Sequence, residues 1–231
     1  MKTYTIVMPE SEHSVRLAED CIEAGRSFGI NVEKWPAVLG TNAKEKFEEY
    51  GIKNLLHKKI EALEGVQGCF LSHYELWQHC VQLKETICIL EHDGVFIRPL
   101  PDDIESHFSD VLNLDPYPQS DKDYDQRVKD SVTLPIDYFY APAGKSSAAG
   151  EYVAGAYGYL ITPQGARKLI EFTLRVGALP TDKHIGRNVV DLKSTTVPVV
   201  RLHEFYSTHS IPKFSSTKNL RAFIKETDDA V

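Results

Sequence analysis

Glu91 and Asp93 flank His92 at the end of the run Thr86-Ile87-Cys88-Ile89-Leu90. A short β-branched and apolar run suits a strand buried on both faces. Charge does not stay in a core unpaired, so the strand leaves the core at Glu91. In an open α/β sheet, ligands bind just outside the carboxyl ends of strands. Side chains alternate along an extended chain, which puts Glu91 and Asp93 on one side and His92 on the other. Two carboxylates on one side form an oxygen site suited to Mg2+ or Mn2+. An acidic strand end with two solvated carboxylates has the same pattern, and both readings stand for the triplet alone.

The elements that must position this triplet surround it. Tyr4–Met8 reads as a first strand and Ser14–Phe28 as a helix, with Leu17, Ala18, Cys21 and Ile22 at helical spacing and Gly29 as a stop. Asn31–Val38 holds a second strand, edged by Pro36, which completes a right-handed βαβ unit. Asn42 is placed to cap a charged helix, Ala43–Tyr50. Gly68–Lys84 is a helix with Phe70, Tyr74, Trp77 and Val81 on one face. It runs directly into the strand that ends at Glu91. The start of the helix and the end of the strand therefore lie together, and His73 and the acidic pair are expected to share one cleft. A hydrogen-bonded structural histidine is the competing reading of His73.

Downstream, Val95–Ile97 and Val111–Leu114 read as short strands and Asp102–Phe108 as a short helix. Pro116–Asp130 shows no helical or strand period, which predicts a loop, either solvated or closing over a ligand. Tyr152–Ile161 reads as a strand interrupted by Gly155 and Gly158, where another backbone or a ligand can approach closely. Thr162 and Pro163 supply an N-cap and a first position for the helix Gln164–Val176, and Gly177 ends it. Thr196–Leu202 reads as a late strand.

With 231 residues, 42% of them hydrophobic and 26% charged, the chain is expected to form a single domain over 1–231, with a flexible loop over 116–150 and a loose tail over 206–231. No apolar stretch approaches the roughly 20 residues needed to span a bilayer. Met1–Met8 is too short an apolar run for a signal peptide. The four cysteines form no C-x-x-C pair, which predicts buried free thiols and a cytoplasmic location, with attachment at the edge of a membrane left open. The net charge of −7 disfavours non-specific nucleic-acid binding.

Three segments together resemble glycosyltransferase family 25, which includes lipooligosaccharide sugar transferases and collagen galactosyltransferases. Gly68-Cys69-x-x-Ser72-His73 with Leu76-Trp77 is similar to the family's Gly-Cys-x-x-Ser-His…Leu-Trp. Ile89-Leu90-Glu91-His92-Asp93 resembles Ile-Leu-Glu-Asp-Asp, with His92 in place of the middle acid. Gly155–Ile161 with Gly165, Ala166 and Leu169 resembles a third segment, and Pro180-x-Asp182 fits the motif after it. The opening differs: Tyr4-Thr-Ile-Val-Met-Pro9 stands where the family usually has Tyr-x-Ile-Asn-Leu.

The resemblance implies an α/β fold, a GT-A-like Rossmann-type sandwich with a mixed, mostly parallel central sheet. It implies inverting transfer of a hexose, galactose-like, from a nucleotide-sugar donor, UDP-linked, to a hydroxyl on a glycan or lipooligosaccharide acceptor, as in lipopolysaccharide biosynthesis. Mn2+ or Mg2+ would be held by Glu91 and Asp93, with His209 as a later third ligand, and would neutralise the departing diphosphate. Asp182 is the first choice for the base that takes the acceptor proton, and Glu151 the second. Asp182 also reads as a helix N-cap. Ser72, His73, Trp77, Gly155 and Tyr157 would lie around the donor. Tyr157 and Tyr159 read as sugar or acceptor platforms, with one of the two expected simply to pack in the core. Two rivals remain at this point: a non-catalytic sugar- or nucleotide-binding protein on a degenerate transferase fold, motivated by His92, and a transferase acting on modified DNA.

Overall fold

The computed structural model describes residues 1–117, 123–140 and 155–203. The chain opens with β1 (Lys2–Val7), α1 (Glu12–Ser27) and β2 (Val32–Pro36), the expected βαβ unit, with β1 and β2 parallel. Ser11 caps α1 through its side chain. A 3-10 turn at Gly40–Asn42 leads into α2 (Ala43–Glu49), and α3 (Lys58–Ala62) precedes α4 (Glu64–Leu83). The expected Asn42 cap is not made: its backbone is already helical and its side chain makes no capping bond, because the 3-10 turn runs straight into α2.

The central strand β3 (Ile87–Glu91) follows α4, and β4 (Gly94–Phe96) and β5 (Val111–Asn113) come after it. Residues 124–131, expected as loop, form α5 (Tyr124–Ser131). Only Val128 and Ser131 of that helix are buried, too few apolar contacts to leave a period in the sequence. The remaining elements are β6 (Tyr138–Tyr140), β7 (Gly158–Ile161), α6 (Pro163–Arg175), α7 (Thr181–His184), β8 (Leu192–Thr195) and β9 (Val200–Leu202). The late strand expected over 196–202 is shorter, β9 alone, and pairs with β4 in a separate two-stranded ribbon; the unexpected β8 just before it joins the main sheet.

The main sheet has seven strands in the order β2-β1-β3-β7-β5-β8-β6. Strands β2, β1, β3, β5 and β8 run one way, and β7 and β6 run against them. This is the mixed, mostly parallel α/β sandwich expected. Strand β3 divides the core. Ile87 and Ile89 pack with Phe70, Trp77 and Leu169 on the α4–α6 side. Cys88 and Leu90 pack with Cys21 and Leu160 on the α1 side. Each fully buried aromatic or branched side chain stabilises such a layer by roughly 1.5–3 kcal/mol.

Thr162 caps α6 by accepting from the Gly165 amide, and Gly177 ends it with φ 133°, a conformation that favours glycine. All four cysteines are free; Cys21, Cys80 and Cys88 are buried. Among the described residues, no helix is long and apolar enough to cross a membrane.

Candidate active site

The carboxyl ends of β1 and β3 and the segment after β2 meet the N-terminal half of α4 around a cleft of about 490 Å3. Pairing sets the placement: Ile6 of β1 lies opposite Glu91 of β3, and Val7 opposite Pro36 of β2. Apolar residues line one part of the cleft, among them Ile6, Val38, Leu63 and Val66. Cys69, Ser72, His73, Glu91 and His92 line another. Gly68 lets the segment after β2 lie directly on α4. A Cβ at Gly68 would sit 2.4 Å from the Val38 carbonyl oxygen. Ser72 closes the same junction: its hydroxyl accepts from the Val38 amide at 2.8 Å and donates to the Gly68 carbonyl at 2.7 Å.

His73 and Glu91 meet as expected, with Nε2 3.2 Å from Oε1. The Cys69 thiol is 3.4 Å from the same Glu91 oxygen and 3.7 Å from the Thr181 hydroxyl. On the far side of the imidazole, His73 Nδ1 lies 2.9 Å from the Tyr159 hydroxyl, which accepts from the Trp77 indole N–H at 2.9 Å. Trp77 and Tyr159 are buried in the core and His73 is fully buried. Burial and the Glu91 charge hold the Cys69 thiol well above its ordinary range, so it stays protonated. Among the described residues, Cys69, His73 and Glu91 form the only group of three whose metal-ligating atoms lie within 4.8 Å of one another.

The chain turns at residues 92–93, so strand alternation ends at Glu91, and His92 lines the cleft beside Glu91. Burial lowers the His92 pKa, with the Glu91 charge opposing. Asp93 is 3% exposed, and its Oδ1 has no hydrogen-bond partner among the described residues. Burial first, and the Glu91 charge second, push its pKa well above the usual carboxylate range. Asp93 is thus not among the residues that line the cleft, against the expectation that it would share a side with Glu91; its desolvated oxygen without a donor, under the influence of the Glu91 charge, is nevertheless of the type that fits a hard divalent cation. The Cys69 and His73 donors do not suit Mn2+ or Mg2+.

Among the other residues expected at the site, Trp77 is a core residue whose indole donates to Tyr159 and which does not line the cleft. Tyr157, 2% exposed, donates its hydroxyl to Asp115 Oδ2 at 2.5 Å. Gly155 has φ 91°, which accounts for the glycine. Asp182 lies in α7, next to Thr181, and its Oδ1 accepts from the Lys183 amide at 3.0 Å. Glu151 and His209 lie outside the described residues.

Two groups were not singled out from sequence. Cys69 sits in a matched motif, but its contact with Glu91 becomes visible only in three dimensions. Asp115, two residues past the end of β5, is a buried carboxylate that accepts from the Tyr124 and Tyr157 hydroxyls, both at 2.5 Å, and from the Tyr117 amide at 2.9 Å. A charged residue closing an apolar strand was the available signal, the same one that marked Glu91.

The chain is 29% identical over 166 residues to an Aedes aegypti protein named glycosyltransferase 25 family member, covering 68% of this chain and 26% of that one. It is 30% identical over 173 residues to procollagen galactosyltransferase 1-B of Xenopus laevis, covering 70% and 24%. The chain thus spans about a quarter of the length of the curated relatives it matches. Similar solved structures include mouse xyloside xylosyltransferase 1 in its apo form, with TM-score 0.39 at 10% identity and 82% and 78% of the two chains covered. Another is a Drosophila beta-1,4-galactosyltransferase 7 mutant in complex with manganese, UDP-Gal and xylobiose, with TM-score 0.35 at 9% identity and 95% and 79% covered. The profile of the family described as glycosyltransferase family 25 (LPS biosynthesis protein) matches residues 24–185, which include α4, β3 and the cleft between them, and the chain belongs to that family.

Proposed function

We propose that the chain transfers a sugar, galactose-like, from a nucleotide-sugar donor, UDP-linked, to a hydroxyl on a glycan or lipooligosaccharide, with inversion and with Mn2+ or Mg2+. The observation that carries this reading is the charge of the cleft. Its described lining residues include the carboxylates of Glu64 and Glu91 and no lysine or arginine. A nucleoside diphosphate placed there meets like charge unless a cation lies between them. Glu91 and the unsatisfied Asp93 are the groups that would hold that cation. When bound, it would neutralise charge on the departing diphosphate.

The chain's own residues supply the rest. The apolar part of the cleft, with Ile6, Val38, Leu63 and Val66, offers a surface for a base or sugar face. The cleft sits at strand ends, where backbone groups leave the sheet and become available to a ligand. Removal of the acceptor proton falls to a carboxylate within hydrogen-bond reach. Asp182, beside the Thr181–Cys69 contact, is the first candidate in the described part of the chain, and Glu151 the second overall.

The test is the thermal midpoint against UDP-, GDP-, CMP- and dTDP-sugars, with and without Mn2+. A ligand that binds only the folded state raises the midpoint by mass action. The expected result is a rise with one UDP-sugar that requires Mn2+ and release of UDP on adding a glycan acceptor. A flat panel at millimolar ligand, or an equal shift without metal, overturns the reading.

A further inference from the structure

We propose that Trp77, Tyr159 and His73 form a one-way hydrogen-bond chain that fixes the Glu91 carboxylate at the cleft, making all three positioning residues. The inference rests on the reading of Glu91 as a cation ligand. It adds a role for two core aromatics that touch no part of the cleft.

The direction of the chain follows from its first member. An indole nitrogen has one hydrogen and no acceptor capacity, so Trp77 can only donate to the Tyr159 oxygen. The Tyr159 hydrogen is then directed to its other partner, His73 Nδ1. A neutral imidazole that accepts at Nδ1 carries its hydrogen on Nε2, which faces Glu91 Oε1. The imidazole is thereby held as a donor to the carboxylate, not as a metal ligand. Cys69 adds a second donor to the same oxygen. One oxygen of Glu91 is thus engaged from behind by two donors. Such outer contacts orient ligating groups and tune their affinity, typically by 10- to 100-fold.

The geometry also explains why the chain lies in the core. His73 and Tyr159 have nearly parallel rings, with centroids 5.7 Å apart, and Trp77 packs on Phe70 and His184. Packing locks each rotamer, so each polar tip has one reachable partner. An isolated structural bond would join only two of these groups. Here three consecutive polar contacts end on a carboxylate that lines the cleft.

The test titrates Mn2+ by the electron paramagnetic resonance signal of the free ion, which needs no turnover. Tyr159→Phe should weaken Mn2+ binding about tenfold, with a midpoint that still reports a cooperative fold. In a Glu91→Gln background the same change should have no further effect. If Tyr159→Phe does not fold, His73→Asn replaces it: the shorter amide accepts from Tyr159 but does not reach Glu91, and should weaken Mn2+ about tenfold or more. Weak binding in Glu91→Gln, with wild-type binding in Tyr159→Phe or in its replacement, rejects the chain while leaving the metal reading intact. Wild-type binding in Glu91→Gln rejects the metal reading and the chain with it.

Discussion

Tyr157 and Tyr159 are two residues apart, yet they pack into opposite layers of the sandwich: Tyr157 joins the α1 side and Tyr159 the α4 side. The strand begins only at Gly158, so the bend before it releases Tyr157 from the alternation that governs Tyr159. Each hydroxyl therefore serves a different carboxylate. Tyr157 reaches Asp115, and Tyr159 reaches Glu91 through His73.

Asp115 should make the fold more stable in mild acid than at neutral pH. Burial raises its carboxyl from 3.8 to about 6, although the Tyr124 and Tyr157 hydroxyls, the Tyr117 amide and the Arg201 charge all favour the anion. Between those values the folded chain binds more protons than the unfolded chain. The contribution is complete below 3.8 and is lost as pH rises through about 6. Its size is on the order of 3 kcal/mol. Urea unfolding of wild type and Asp115→Asn from pH 4 to 7 checks this: the difference between the two should change across that window, and a constant difference refutes it.

His184 should act in the opposite sense. It is fully buried against the rings of Phe70, Trp77 and Phe172. Burial lowers its pKa from 6.5 to about 3. Here the unfolded chain binds the proton first. The stabilisation is complete above 6.5 and is lost as pH falls toward 3, by roughly 4–5 kcal/mol in all. The Thr173 hydroxyl donates to the Leu169 carbonyl, so its oxygen is left to accept from His184 Nε2. A His184→Gln variant, less stable at pH 7, should lose stability less steeply on acidification. Parallel pH curves for variant and wild type would contradict this. Because His184 packs on Phe70 and Trp77 in one layer and Asp115 binds Tyr157 in the other, their effects should add in the double variant.

Gly65 and Gly68, three residues apart in α4, should respond oppositely to alanine. Nothing lies within 4 Å of a Cβ built at Gly65, so Gly65→Ala should stabilise by up to about 1 kcal/mol through helix propensity. At Gly68 the added carbon would sit 2.4 Å from the Val38 carbonyl oxygen and 2.9 Å from the Gly40 nitrogen, both backbone atoms that cannot rotate away. Gly68→Ala should cost about 1–3 kcal/mol and shift the segment that walls the cleft. Chemical denaturation of the two variants separates these outcomes, and equal midpoints would show that the segment yields without cost.

The sequence made the β1-α1-β2 unit, α4 and β3 legible because each carries a strong apolar period and a clear stop. The meeting of His73 with Glu91 also followed from chain order, since a helix that runs directly into a strand returns its start to the strand's end. What was hidden lay in groups whose partners are distant. Trp77 and Tyr159 are 82 residues apart, and no local pattern announces that one donates to the other. Helix α5 was hidden for a different reason: with Val128 as its one buried apolar side chain, it is held by its surroundings and not by its own pattern. The alternation argument for Glu91, His92 and Asp93 assumed that extended backbone continued past Glu91, and the turn at residues 92–93 ends it.

Asp93 should trade stability for binding. Its carboxylate is nearly excluded from solvent, one oxygen lacks a partner among the described residues, and the Glu91 charge opposes ionisation. All of these raise the free energy of the folded, ligand-free chain at neutral pH. Asp93→Asn removes the charge at nearly constant volume, so the ligand-free midpoint should stay level or rise. The same substitution removes the group best suited to a hard cation, so the added stability from Mn2+ with a UDP-sugar should vanish. Sites that bind are often strained in this way before the ligand arrives. Scanning calorimetry of wild type and Asp93→Asn, each with and without both ligands, reads the two effects separately. A variant that melts several degrees below wild type without ligand would mean that Asp93 is a structural hydrogen-bonding group. A variant that keeps the full Mn2+-dependent rise would remove Asp93 from the cation site.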